Sequence, residues 1–234
     1  MVLCDDNDYT IDRIDWEKLL NKNTHVSVEN LYGNILIKKS YSNSFAIHAV
    51  NQNHKSNTTK AKFKIEEKDN SLSIKIVFDK GETTKLERSD ISLAMPKDMP
   101  LLIKMNGGKL TAKKIMNPIT VKAESAEIFL TTKSQFNVLS KTGEIYIKIL
   151  EKSKPQQSNV QSFKGNIILE YLADKPYFEV LSGKVVVSNS AKLLMTKRNK
   201  NRHHLFNQPN ASTKINIIND IGNVILIDKN TDRI

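Results

Sequence analysis

Seven stretches of this sequence repeat one spacing of apolar residues around a small residue. When the small residue is numbered zero, apolar residues stand at −5, +2 and +4 in all seven stretches, and at −7 in five of them. The steps between zero positions from 108 to 183 are 18, 17, 22 and 18 residues, and the last step is 39 residues. A repeat at a nearly fixed period predicts stacked structural units. The zero positions are Gly33, Gly108, Ala126, Gly143, Gly165, Gly183 and Gly222.

Each stretch reads as two short β-strands that meet at a corner. Alternating apolar residues direct one side of an extended segment inward, and glycine at the corner permits a positive φ. The step of about 17–18 residues predicts an all-β, single-domain β-solenoid, in which Val28, Ile103 and Val121 would form one inward stack. A β-sandwich of antiparallel hairpins is the alternative, since a single stretch also fits a hairpin. The handedness of a solenoid is left open.

The predicted solenoid domain spans residues 24–230, with a looser strand region at 41–95. Within that region, "NQNHKSNTTK" (51–60) and "DKGETTK" (79–85) are predicted as exposed connections, and "MPKDMP" (95–100) as a turn. The 39-residue step before Gly222 is about two periods long. We therefore expect a further turn of the solenoid at "KLLMTK", where Leu193 and Met195 stand two residues apart.

Residues 1–23 are predicted to form an acidic tail or a helical cap. Ile11 and Ile14 are spaced i, i+3 and Trp16 and Leu20 are spaced i, i+4, which fits one face of a short helix over residues 11–20. Such a helix would cover the open end of the solenoid, whose terminal strand would otherwise expose unpaired backbone. Trp16 is the only tryptophan of the chain and calls for burial.

The stretch "DISLAMPKDMPLLIKMNGGKLTAKKI" resembles the adhesin-like β-solenoid family of unknown function, which is also met as head-GIN-like domains. The resemblance rests on a strand at 91–95, a proline-containing turn at 96–98, an apolar strand at 101–103, the corner glycines Gly107 and Gly108, and Leu110. The recurring "GNILIK", "GEIYIK" and "GNVILI" also resemble that family, over roughly residues 24–228. The resemblance implies a β-solenoid with no established catalytic activity. This chain has fewer glycines and more lysines than the family's bacterial pattern, which favours an intracellular relative.

The net charge of the chain is +11, and it is unevenly distributed. Residues 1–17 contain six acidic residues and one arginine, which gives −5 and leaves +16 for the remaining residues. A basic body favours acidic partners. One cysteine, Cys4, excludes an intramolecular disulfide. No transmembrane segment and no signal peptide is predicted. We expect an intracellular location, cytoplasmic or organellar, with surface display only if a leader has been removed.

Neither catalytic residues nor a metal or cofactor site are predicted. Glu127 and Glu144 would stack on neighbouring turns, and a close carboxylate pair can share a proton, but flanking lysines make them solvated surface residues. The five histidines lack metal-ligand spacing, and the pair His203–His204 is expected to be exposed. "DNDYTIDRIDWE" has acidic residues at calcium-loop positions, but Ile11 stands where a glycine is needed.

The strongest local charge feature is "KLLMTKRNKNRHH". It carries five basic residues and no acidic residue between 192 and 204, and we expect it to be an extruded loop. As a predicted contact for a partner or an anion it comprises Lys192, Lys197, Arg198, Lys200 and Arg202. A protein partner is the first expectation for it, with nucleic acid or an anionic membrane surface as alternatives.

Together these features predict a non-enzymatic interaction or scaffold protein, whose rigid solenoid presents a basic surface to protein partners. A surface adhesin or carbohydrate-contacting module is the alternative, and should display exposed aromatic side chains. A polysaccharide-active β-helix enzyme would need an outward row of carboxylates. A bactofilin-like polymer would expose an uncapped strand at each end.

Overall fold

A computed structural model describes residues 9–55, 61–78, 88–150, 156–171, 176–187, 195–198, 203–206 and 213–228. The described residues form β-strands and turns without a helix, and all the strands belong to one hydrogen-bonded sheet. The all-β prediction is therefore confirmed. In chain order the strands are β1 (Tyr9–Lys18), β2 (His25–Asn30), β3 (Ile35–Lys39), β4 (Phe45–His54), β5 (Ala61–Lys68), β6 (Ser71–Phe78), β7 (Arg88–Met95), β8 (Leu101–Ile115), β9 (Ile119–Thr132), β10 (Phe136–Thr142), β11 (Ile145–Ile149), β12 (Gln156–Lys164), β13 (Ile167–Tyr171), β14 (Tyr177–Ser182), β15 (Val185–Val187), β16 (Met195–Arg198), β17 (His203–Phe206), β18 (Thr213–Ile221) and β19 (Val224–Asp228).

The first halves of the repeats pair in parallel to form one ladder, which we call ladder A. Its strands follow each other as β6, β2, the first half of β8, the first half of β9, β10, β12, β18 and β14. Equivalent residues lie side by side, so one position of the repeat becomes a continuous buried stack. That stack consists of Ile74, Val28, Ile103, Val121, Val138, Val160, Ile217 and Val180.

The second halves of the repeats form an equivalent ladder, ladder B. Its strands follow each other as β7, β3, the second half of β8, the second half of β9, β11, β13, β19 and β15. Its matching inward stack is Leu93, Ile37, Ala112, Leu130, Ile147, Leu169, Leu226 and Val187. Inward residues of both ladders join one apolar core. Full burial of one such side chain stabilises the fold by about 1.5–3 kcal/mol.

This pairing distinguishes between the two arrangements that the sequence allowed. Val121 lies beside Val138 in parallel strands, as the repeat predicted. Both edges of β2 are occupied by β6 and β8, and both edges of β3 by β7 and β8. The stretch that contains β2 and β3 is therefore not an antiparallel hairpin.

The spatial order of the strands departs from chain order at both ends of the ladders. The β2–β3 segment lies between β6–β7 and β8, although it precedes both in the chain. The β18–β19 segment lies between β12–β13 and β14–β15, although it follows both. The expected further turn at "KLLMTK" is wrong, since Met195 lies in β16, which pairs antiparallel with β17. Leu193 is outside the described residues.

The predicted N-terminal helix is also wrong, because residues 9–18 form strand β1. β1 pairs antiparallel with β4 over its whole length. The backbone edge of β4 offers β1 a row of hydrogen bonds, and the β-branched and aromatic residues of "YTIDRIDW" suit a strand. The expected burial of Trp16 holds in part, since its ring packs edge-on to Phe45 at 5.8 Å.

The looser region 41–95 contains strands β4 to β7, as predicted. The expected exposed connection at 51–60 is wrong in its first part, because β4 continues to His54 with Asn51 and Asn53 buried. Their side-chain amides bind the backbone of Ala61, which compensates for their burial. The second connection, "DKGETTK", lies outside the described residues. The turn at "MPKDMP" is confirmed, with Asp98 at φ 65°.

The corner glycines are needed for close backbone stacking as well as for a turn. Gly143 has φ 115°, and a Cβ added to it would lie 2.1 Å from the carbonyl oxygen of Ala126 in the neighbouring strand. No L-residue fits there without moving backbone that the ladders hold in place. Gly107, one residue before another corner, has ordinary φ and 3.4 Å to its nearest neighbour.

We expect Gly143→Ala to lower the free energy of unfolding by about 2 kcal/mol or more, because it adds both a strained φ and a backbone clash. A loss of that size lowers Tm by about 4–8 °C in a chain of this length. Gly107→Ala is the matched control and should leave Tm nearly unchanged. Equal Tm values for the two variants, measured by thermal denaturation, would contradict the stacked corner.

Candidate functional site

The basic segment predicted from the sequence is only partly within the described residues. Lys197 and Arg198 lie in β16, whose register sets them beside Leu205 and His204 of β17. Lys192, Lys200 and Arg202 are outside the described residues. The segment therefore stays a predicted contact.

The two histidines that follow this segment lie on opposite sides of β17. His204 is buried and its ring stacks on Phe206, so its predicted exposure is wrong. It faces inward because neighbouring residues of a strand point to opposite sides. His203 faces outward, where Glu179 lies 3.1 Å from His203 Nε2 and 3.0 Å from Lys214 Nζ. The hydrogen bond from Lys214 is the main cause that lowers the pKa of Glu179. Burial opposes it, whereas the charge of Lys214 and the hydrogen bond with His203 lower this pKa further.

Glu127 and Glu144 each interact with a different partner. Glu127 lies 3.9 Å from Lys109, whereas Glu144 accepts a hydrogen bond from the Asn166 side chain at 3.2 Å. This arrangement fits solvated surface residues. Among the described residues, no group of three or more histidine, cysteine, aspartate or glutamate side chains is placed to hold a metal ion. None of them forms a helix that is long and apolar enough to cross a membrane.

A wide concavity lies on the outer face of ladder B, and we call it the lysine groove. Its volume is about 1100 Å³. It lies between the loop at 40–44 and the ends of β3, β8, β9 and β11. Its charged lining residues are Lys38, Lys39, Lys113, Lys114, Lys133, Lys148 and Glu17.

One row of the sheet explains how these lysines come together. Strand register aligns one outward residue from each of eight neighbouring strands, so lysines that are far apart in the chain become neighbours. Lys38 of β3 lies directly beside Lys113 of β8, which is 75 residues later in the sequence. Along the sheet the row reads Glu17, Ala46, Ala94, Lys38 and Lys113, and beyond the bulge of β8 it continues as Thr131, Lys148 and Glu170.

Small residues and a bulge shape the floor and the rim of the lysine groove. Ala46 and Ala94 leave space on the outer face between Glu17 and Lys38. The register shifts between Ala112 and Ile115, where Lys114 adopts φ 51°. A bulge of this kind redirects side chains at functional surfaces, and here both Lys113 and Lys114 are exposed. Tyr41, in the loop above the floor, is 97% exposed.

Most of the positive charge in the lysine groove has no counter-charge. Of its six lysines, Lys148 alone forms an ion pair within the part of the chain that the structure describes. The other five have no described carboxylate as a partner, and Glu17 is hydrogen-bonded to Ser44. Like charges opposite each other on neighbouring strands are destabilising. The groove therefore holds positive charge at a cost in stability, and an anionic ligand would offset that cost.

A buried carboxylate ends the lysine groove on one side. Glu170 is 5% exposed and accepts hydrogen bonds from Lys148 Nζ and from the Tyr146 hydroxyl. Burial, followed by the hydrogen bond to Glu170, raises the pKa of Tyr146 to about 12. This cluster fixes Lys148 in place and neutralises it.

The outer face of ladder A carries a comparable lysine pair in a different setting. Lys104 lies beside Lys122 on neighbouring strands, and both are exposed. The shallow concavity around them, of about 520 Å³, also contains Glu29, Glu124 and Asp220. Because its charges are mixed, this surface lacks the uniform positive charge of the lysine groove.

The sequence reasoning missed the lysine groove because its lining residues come from six separated segments. The signal was present at repeat position +5, since Lys38, Lys113 and Lys148 each stand five residues after a corner glycine. Lys114 and Lys133 have no equivalent signal, because a bulge and a turn place them.

Two substitutions in one row should change stability in opposite directions. Lys38→Gln removes an uncompensated charge beside Lys113, and we expect a gain of about 0.2–1 kcal/mol at low salt that disappears at high salt. Lys148→Gln leaves the buried carboxylate of Glu170 without its cation, and we expect a loss of about 1–3 kcal/mol. Urea denaturation at two salt concentrations measures both. A loss of stability for Lys38→Gln would contradict the absence of a counter-charge.

Tyr146 should also make stability depend on pH in alkaline solution. Its pKa in the folded chain, about 12, lies above the value of about 10 for an unfolded tyrosine. Its stabilising contribution is therefore complete below pH 10 and is lost as the pH rises through 12. We expect Tyr146→Phe to flatten the fall in stability over this range, and Tyr32→Phe, at an exposed tyrosine, to leave it unchanged. Equal pH profiles for the wild type and Tyr146→Phe would contradict this.

Comparisons with known proteins add information about the fold. No protein-family model and no curated protein matches the sequence. The chain is similar to the crystal structure of a candidate cell adhesion protein from Clostridium sporogenes, with a TM-score of 0.50, 12% identity, and coverage of 93% of this chain and 100% of that one. A candidate adhesin from Bacteroides fragilis aligns with a TM-score of 0.31, 12% identity and coverage of 92% and 97%. The first likeness shows that this chain shares its fold with an adhesin-like protein.

Proposed function

We propose that this chain is a non-enzymatic binding protein, built as a β-solenoid, whose lysine groove binds an acidic segment of a protein partner. The single observation that carries the proposal is the group of five lysines in one groove, without an ion-pair partner in the described chain. Charge complementarity of this kind steers encounter and selects acidic partners.

The parallel ladders support the proposed solenoid and its rigidity. Each lysine of the row projects from a strand that has hydrogen-bonded neighbours on both sides. The backbone positions of the charges are therefore set before a ligand arrives, which lowers the ordering cost of binding. Lysine side chains keep their own freedom, so a groove of this type suits a carboxylate-rich surface better than one exact ligand.

The shape of the groove favours a protein segment over other polyanions. Its floor contains apolar as well as charged residues, among them Ala46, Ala94, Met116 and Leu150. An acidic peptide with apolar side chains can use both parts of such a floor. The basic segment Lys192–Arg202 is proposed as a second contact, and the intracellular location expected from the sequence belongs to this proposal.

An adhesin or carbohydrate-contacting role is the second candidate. The exposed ring of Tyr41 beside the lysines is the observation that favours it, since an aromatic face and cations together suit an acidic polysaccharide. The described Clostridium sporogenes protein is itself assigned to cell adhesion. At 12% identity this likeness supports a shared fold, but it does not support a shared role.

A pair of charge reversals tests the proposal. Lys38→Glu/Lys113→Glu alters the lysine groove, and Lys104→Glu/Lys122→Glu makes the same change on the outer face of ladder A. The probe is a fluorescent peptide that alternates glutamate with leucine and phenylalanine, with binding followed by anisotropy at two salt concentrations. We expect the groove variant to lose about tenfold or more in affinity, since 1.4 kcal/mol corresponds to tenfold, and the control to change little.

The same binding assay is repeated with heparin, duplex DNA and anionic vesicles in place of the peptide. Equal losses for the two variants would mean general attraction to a basic protein and would overturn the groove as a site. Binding of heparin with no binding of the peptide would favour the carbohydrate role. Tight binding of duplex DNA or anionic vesicles alone would also reject a protein partner.

A further inference from the structure

Strand β1 is a long open edge of the sheet. It pairs with β4 through all ten of its residues, and no other strand within the described ranges borders its second side. The backbone groups on that side are not used by the ladder. An edge of this length is a template for pairing with another chain unless charges or a bulge protect it.

The side chains of β1 divide between the two faces of the sheet. Glu17 lies beside Ala46, on the outer face that carries the lysine groove, so Arg13 and Asp15 share that face. Asp15 is largely exposed and its carboxylate lies 2.5 Å from His48 Nδ1. Ile14 and Trp16 point to the opposite side, beside Ala49 and Ile47, and are only partly buried. A strand added beyond β1 would cover them further.

Symmetry limits how a second copy could add to this edge. Two antiparallel copies of one strand are related by a twofold axis perpendicular to the sheet. Two residues that lie opposite each other across this axis are on the same face of the sheet. Since successive residues of a strand alternate between faces, their two numbers are both odd or both even. Registers that align at least seven residues are centred on residue 12, 13, 14 or 15. Three of them oppose identical charges, namely Asp12 to Asp12, Arg13 to Arg13, or Asp15 to Asp15.

The register centred on Ile14 is self-complementary. It sets Ile14 opposite Ile14 of the second copy on the inner face. On the outer face it sets Arg13 opposite Asp15 of the second copy, twice by symmetry. Opposite charges and apolar pairs at directly opposed positions each stabilise a sheet by about 0.2–1 kcal/mol. The remaining opposed pairs are Asp12 with Trp16, Ile11 with Glu17 and Thr10 with Lys18.

We propose that two copies of this chain pair through their β1 edges in the register centred on Ile14. The pairing is isologous and closed, so it yields a dimer and not a filament. Because the twofold axis is perpendicular to the sheet, the outer faces of the two ladders B lie on the same side. The two lysine grooves then face the same direction. The dimer does not depend on what the groove binds.

Charge exchange at two positions tests the dimer in the full-length chain. Sedimentation velocity over a concentration series should show wild type approaching twice the monomer mass of 26.6 kDa. Arg13→Asp and Asp15→Arg each create like charges across the axis, and we expect both single variants to stay monomeric. Arg13→Asp/Asp15→Arg restores opposite charges and should dimerise again. Circular dichroism and Tm confirm that each variant is folded.

Mixing the two single variants separates pairing between copies from effects within one copy. Arg13→Asp supplies two acidic residues and Asp15→Arg two basic ones, so an equimolar mixture should form a heterodimer from two monomeric proteins. Wild type that stays monomeric at its highest soluble concentration would overturn the proposal. So would single variants that dimerise like wild type, or a mixture of folded single variants that stays monomeric.

Discussion

Parallel backbone hydrogen bonding between equivalent strands is the constraint on which this structure depends. It holds like residues at one strand spacing of about 4.8 Å, so a property of one repeat position extends across the molecule. Valine and isoleucine at an inward position become a continuous core stack through Val121 and Val138. Lysine at an outward position becomes a basic row through Lys38 and Lys113. The same strand register therefore aligns the apolar residues of the core on the inner face and the lysines of the candidate site on the outer face.

Because of this register, most of the corners require glycine. Successive backbones approach so closely there that Gly143, Gly165 and Gly222 would each bring a Cβ to about 2 Å from a neighbouring carbonyl oxygen. Ala126 occupies a corner position inside the continuous strand β9 and does not need the left-handed conformation. The one non-glycine corner is therefore found where the backbone stays extended.

Much of the inner architecture was predictable from the sequence, because a period of 17–18 residues and a strict alternation specify which residues stack. The ends were not. "IDRIDWEKLL" has helical spacing, but the open edge of β4 offers it hydrogen bonds along its length, and this tertiary context outweighs the local pattern. His204 is buried because β17 pairs with β14, a contact outside the repeat. The lysine groove was also missed, since a bulge and register across distant segments assemble it.

The order of strands has a consequence for synthesis on the ribosome. Residues 213–228 emerge last among the described strands, yet their final position is interior, between β12–β13 and β14–β15. Until they arrive, the apolar sides of the two flanking strand pairs cannot meet their eventual neighbours. Until then, the space between β12–β13 and β14–β15 stays open in the nascent chain or is occupied by temporary contacts. This end of the ladders is therefore completed late in synthesis, and such a delayed step exposes β-edges to chaperones or to wrong partners.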